Sequence, residues 1–153
     1  MAKLGYRFID HPSDVGMEVE GVTLEELFIN AATGMLSIIA EPASRSEAPR
    51  GKPRGILAKE GKSLSKELHL KEDSIEELLH SFLSEILWFI TKERFFPLSI
   101  NIFGISKVSL DVKLGGIQLK EEEINGEVKA VTYHQLKIVR RDGVLFTKLI
   151  LDV

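Results

Sequence analysis

Apolar and polar positions along this 153-residue chain follow two periods, and the switches between them outline the elements. Residues 5–10 (GYRFID) alternate weakly and break at His11-Pro12-Ser13-Asp14. Residues 15–21 (VGMEVEG) then alternate cleanly, with Val15, Met17 and Val19 on one face. This predicts two short strands around a turn, and Pro12 pushes His11 out of the helical region. Thr23-Leu24-Glu25-Glu26 has the form of a capping box, with Val22 and Leu27 at the hydrophobic-staple positions. Leu24, Leu27, Phe28, Ala31, Met35 and Ile38 recur at helical spacing, so the predicted helix covers about 24–39 and stops before Pro42.

Two prolines (Pro49, Pro53) and three glycines (Gly51, Gly55, Gly61) exclude a regular element over 43–62, which reads as a mobile loop. Leu64, Leu68 and Leu70 alternate as a strand over 63–70. Asp73 and Ser74 offer a second cap, answered by Glu76 and Glu77. Behind them the broad stripe Ile75, Leu78, Leu79, Phe82, Leu83, Ile86, Leu87, Phe89 and Ile90 predicts a helix buried along much of its girth, ending near Lys92. Everything after Pro97 reads as β structure. Leu98, Ile100 and Ile102 alternate, as do Val108, Leu110 and Val112, with Gly104 near the turn between them. Residues 115–126 look acidic and turn-rich. Residues 128–139 form one β-branched strand, Arg141-Asp142-Gly143 a hairpin turn, and 144–153 a closing strand. Two helices packed on a mostly antiparallel β-sheet make an α+β fold in a single domain, because a parallel sheet would need strands alternating with helices.

Composition narrows the chemistry. The absence of cysteine removes disulfides, thiolate metal sites and a cysteine nucleophile. No apolar run approaches the length of a membrane span, and the N-terminus shows no secretory pattern, so a cytoplasmic location is expected. The net charge of −3 argues against a general nucleic-acid binder. It is unevenly spread: 43–63 carries six cations (Arg45, Arg50, Lys52, Arg54, Lys59, Lys62) against Glu47 and Glu60, or +4, which leaves −7 for the rest.

Candidate chemistry gathers at a few places. The turn at His11–Asp14 sits where a scaffold can project functional side chains, although an Asp in a turn is equally suited to accepting local backbone N–H bonds. At Leu151-Asp152-Val153 a side-chain carboxylate and the main-chain carboxylate lie one residue apart at the end of an apolar run. Such anions repel, and a hard divalent ion that takes all-oxygen ligands would relieve them; solvated charges at a strand end would do so too. Along 129–134, Lys129, Val131 and Tyr133 face one way and Ala130, Thr132 and His134 the other. Neither a Ser-His-Asp arrangement nor an HExxH spacing exists, and Gly115-Gly116 lacks the rest of any phosphate-binding fingerprint.

Three segments together resemble the archease family: the strand and turn from Phe8 to Gly16 containing His11 and Asp14, the capped helix start from Thr23 to Ala32, and Val128 to His134 with Ile150 to Val153. Leu78 to Leu87 is similar to the family's second helix. The resemblance spans nearly the whole chain. It implies a non-catalytic activator of the RtcB-type RNA ligase, which helps the ligase accept GMP on its active-site histidine and turn over repeatedly in tRNA splicing. It also implies a divalent-metal site, usually assigned to Ca²⁺, at Asp14, Asp152 and Val153, with His11, Lys129 and His134 as residues that could touch the partner or support the ligands. Pro12 and Ser13 depart from the family's usual Thr-Ala, and Gly115-Gly116-Ile117 from its Gly-Glu-basic pattern.

Two other classes compete. A stand-alone metal-dependent hydrolase would use His11 or His134 as general base. A structural dimerisation module would need no metal. The basic loop at 43–62 could make a weak contact with RNA or with an acidic ligase surface, and a solvated loop is the plainer alternative.

Overall fold

The computed structural model describes residues 5–10, 14–39, 64–120, 128–132 and 136–153. His11, His134, Pro42 and the loop predicted at 43–62 lie outside them. In chain order the elements are β1 (Tyr6–Asp10), β2 (Val15–Gly21), α1 (Leu24–Ile39), β3 (Leu64–Lys71), α2 (Ile75–Glu93), β4 (Phe95–Ile105), β5 (Ser109–Gln118), β6 (Ala130–Val131), β7 (Val139–Arg141) and β8 (Val144–Asp152). The fold is α+β, and every strand pairing is antiparallel. The strands divide into two sheets, one ordered β1-β2-β8-β6 with β7 also paired to β8, the other β3-β5-β4.

Both helices begin where their polar caps demand. At α1 the Glu26 N–H donates to Thr23 Oγ1 at 3.1 Å. The reciprocal bond runs from the Val22 N–H to Glu26 Oε1 at 2.6 Å, one residue earlier than in the usual capping box. Val22 does not act as a staple: it is 62% exposed, while Leu27 is fully buried. At α2, Ser74 takes an extended conformation and its side chain accepts from the Glu77 N–H. That helix ends at Arg94, which adopts a left-handed φ of 56° and returns its N–H to Ile90 O at 3.1 Å.

One core joins the two sheets. Met17 and Val19 from β2, Leu149 and Leu151 from β8, and Leu110, Val112 and Leu114 from β5 belong to the same buried cluster as the apolar faces of both helices. Phe28 of α1 stacks on Phe82 of α2 with ring centroids 5.7 Å apart, and both side chains are completely buried.

Several expectations are corrected. Gly115–Gln118 is the end of β5, not a turn. A Cβ added at Gly116 would lie 2.1 Å from Phe96 O, so close backbone approach accounts for the glycine. The strand expected over 128–139 is instead two short strands, β6 and β7, each paired to a different part of β8. β4 starts two residues before Pro97, and register shifts between Pro97 and Ser99 and between Ile102 and Gly104 break its alternation. Leu98 is therefore turned outward. The hairpin turn at Asp142-Gly143 is as expected, with φ of 51° and 80° as a two-residue primed turn requires.

Candidate functional site

β8 is the strand on which the site is built. Its inward residues Leu145, Thr147, Leu149 and Leu151 are buried against the helices, and Lys148 and Asp152, on the alternate positions, are half-buried. β2 runs beside it in the register Met17↔Leu149 and Val15↔Leu151. Asp14 immediately precedes Val15 in the chain, and Asp152 immediately follows Leu151.

The other side of β8 carries β6, in the register Ala130↔Asp152 and Val131↔Leu151. The Lys129 N–H donates to Asp152 O at 2.6 Å, and the Thr132 N–H to Ile150 O at 3.0 Å. The last strand residues therefore run between two neighbours instead of fraying, and Val153 follows them, 39% exposed. Of the residues singled out in the sequence, Lys129, Asp152 and Val153 lie together here, Lys129 through its backbone and with its side chain exposed, and Asp14 directly precedes β2.

The side-chain donors among these residues, Asp14 and Asp152, are carboxylates. Oxygen-only donors suit a hard cation such as Ca²⁺ or Mg²⁺ and lack the nitrogen and sulfur that structural zinc prefers. Among the described residues no three His, Cys, Asp or Glu side chains gather into a metal-binding group.

Sequence reasoning missed two side chains of α2 that hold backbone groups of the sheet. His80 Nε2 donates to Val131 O at 2.7 Å, and the Ile138 N–H donates to Glu76 Oε2 at 3.0 Å. Both partners are backbone atoms, which no sequence motif marks. A second polar cluster also escaped notice. His69 on β3 bonds Asp111 Oδ1 through Nδ1 at 2.8 Å and Glu67 Oε1 through Nε2 at 3.2 Å. These bonds, Asp111 first, raise its pKa above the ordinary 6.5. The cluster lies on the three-stranded sheet, apart from the corner at Asp152.

The model of the Archease protein family matches residues 6–153. This chain belongs to the archease family. Among archeases it is 32% identical over 159 residues to that of Methanothermobacter thermautotrophicus, covering 97% of this chain and 99% of the relative. It is 30% identical over 152 residues to that of Thermoplasma acidophilum, covering 98% and 94%. The solution structure of Methanobacterium thermoautotrophicum protein 1598 matches with a TM-score of 0.67 at 26% identity, over 99% of this chain and 100% of that one. The crystal structure of a Thermotoga maritima archease, described as a possible chaperone, matches with a TM-score of 0.62 at 23% identity, over 95% and 94%. The second likeness speaks for the archease fold alone. No helix among the described residues is long and apolar enough to cross a membrane.

Proposed function

We propose that this chain is a non-catalytic, metal-binding activator of an RtcB-type RNA ligase, acting in the cytoplasm. It promotes guanylylation of the ligase and repeated turnover in tRNA splicing or RNA repair. The observation that carries this reading is the β2–β8 register, which leads from Val15 and Leu151 to Asp14 and Asp152 at the sheet corner. Membership of the archease family supplies the partner class.

Asp14, Asp152 and Val153 would hold the cation, a hard one such as Ca²⁺, which takes all-oxygen ligands. Bound there, it supplies positive charge that offsets the carboxylates. The chain's own contribution is to order the strands that carry these residues. β2 pairs with β8 up to Val15, the residue after Asp14, and the Lys129 N–H holds the Asp152 backbone from the other side. An ordered chain end then presents a fixed surface to the ligase, so the partner need not spend binding energy ordering it.

The test is ligase turnover with RNA in excess over enzyme, with and without this protein. Added protein is expected to restore rounds after the first, and Asp152→Ala to remove that gain. Equal turnover in its absence would remove the activator role, and phosphoester hydrolysis by the chain alone would put an enzyme in its place.

A further inference from the structure

We infer that His80 is a positioning residue, which seats β6 against β8 from the second turn of α2 and so keeps the backbone at Asp152 ready for a cation. The metal part of this inference rests on the reading proposed above. β6 has only two residues, and two backbone bonds flank it on the β8 side: Lys129 N–H to Asp152 O and Thr132 N–H to Ile150 O. A strand that short does not hold an edge position by its ladder alone.

What adds to the ladder comes from α2. The carbonyl of Val131 points to the helix and accepts the His80 Nε2–H at 2.7 Å. A carbonyl only accepts, so this bond fixes the proton on Nε2. The Val131 side chain is 4% exposed, so β6 is anchored through side chain and backbone at one residue. Beyond it, Glu76 receives the Ile138 N–H, and Thr147 Oγ1 donates to Lys137 O at 2.8 Å. Lys137 and Ile138 are therefore held by β8 and by the same helix. Removing the His80 donor leaves a buried carbonyl without this partner, and detaching β6 from α2 would restore its hydration. The cost falls on Asp152, whose backbone carbonyl would then lose the Lys129 N–H. Groups that orient metal ligands without touching the ion typically change metal affinity by roughly 10–100-fold.

Two readouts on the full chain test this. Amide hydrogen exchange at Lys129 and Thr132 needs no metal. His80→Leu should speed it by about ten-fold or more, while amides of the β3–β5 ladder keep their rates. Ca²⁺ titration calorimetry should show affinity weakened by roughly ten-fold in the same variant. His80→Gln, whose amide can donate from a similar position, should restore both. Should His80→Leu fail to fold, His80→Asn, with a shorter reach, takes its place. Unchanged exchange at Lys129 and Thr132, or equal acceleration throughout the molecule, would overturn the inference. Absence of Ca²⁺ binding by the unmodified chain would instead remove the proposed cation site, and the exchange rates would still decide whether His80 seats β6.

Discussion

Val15 lies directly opposite Leu151 in the antiparallel ladder that joins the second strand to the last. That pairing ties the start of the second strand, next to Asp14, to the part of the last strand next to Asp152, and it gives the first prediction. Asp14→Asn and Asp152→Asn each remove one negative charge with little change of shape. Each should weaken Ca²⁺ binding by at least about ten-fold in calorimetry, since ligand charge count sets affinity at oxygen sites. Neither should move the melting temperature of the metal-free protein by more than a few degrees. Wild-type affinity in both variants would exclude the corner as the binding place.

The His69 cluster predicts a pH dependence unrelated to metal. Hydrogen bonds from Asp111 and then Glu67 raise the folded-state pKa of His69 above 6.5. A raised pKa means that folding favours the protonated ring. The stabilisation is therefore complete below about 6.5 and fades as pH rises through the folded value. Melting curves of the wild type and His69→Gln should differ most near pH 6 and converge towards pH 9. A gap that widens with rising pH would contradict this sign. The groups are exposed, so the gap should also shrink in high salt.

The interhelical contact predicts where stability resides. Phe82 is completely buried and stacks on Phe28. Phe82→Ala should lower unfolding free energy by about 3–5 kcal/mol, read from urea denaturation with an unchanged m-value. A loss below about 1 kcal/mol would show that the two helices repack freely.

The second helix start predicts a smaller effect. Ser74→Ala removes the acceptor of the Glu77 N–H. The expected loss is about 1 kcal/mol, or about 2–4 °C in a chain of this size. Ser74→Asp should retain the cap and add a favourable charge at the helix N-terminus.

These outcomes track what periodicity can and cannot reveal. Both helices were legible, α1 from Leu24 to Ile39 and α2 within a residue of its end, because each has a polar cap and a long apolar stripe. β2 was legible from Val15, Met17 and Val19. β4 was only partly so, because its register shifts arise in the ladder with β5, at Gly116/Gly115 and at Val112/Asp111, and no local pattern encodes them. The strand expected over 128–139 failed for a related reason. β propensity marks a segment that fits a sheet, and it does not say how many neighbours that segment will find. The carboxylates at Asp14 and Asp152 were visible as residues, whereas the Val15–Leu151 pairing beside them was not. His80 escaped because its partner is a backbone carbonyl, which no sequence motif advertises.

The two register shifts in β4 have a consequence for how copies of this molecule meet. β4 borders the three-stranded sheet, with no strand on its far side among the described residues. Pro97 has no N–H to offer there, and the irregularities at Pro97/Ser99 and Ile102/Gly104 interrupt an eleven-residue strand near each end. A strand arriving from a second molecule would meet a border whose spacing changes twice and whose proline cannot answer it, so the long rim discourages molecules from joining side by side.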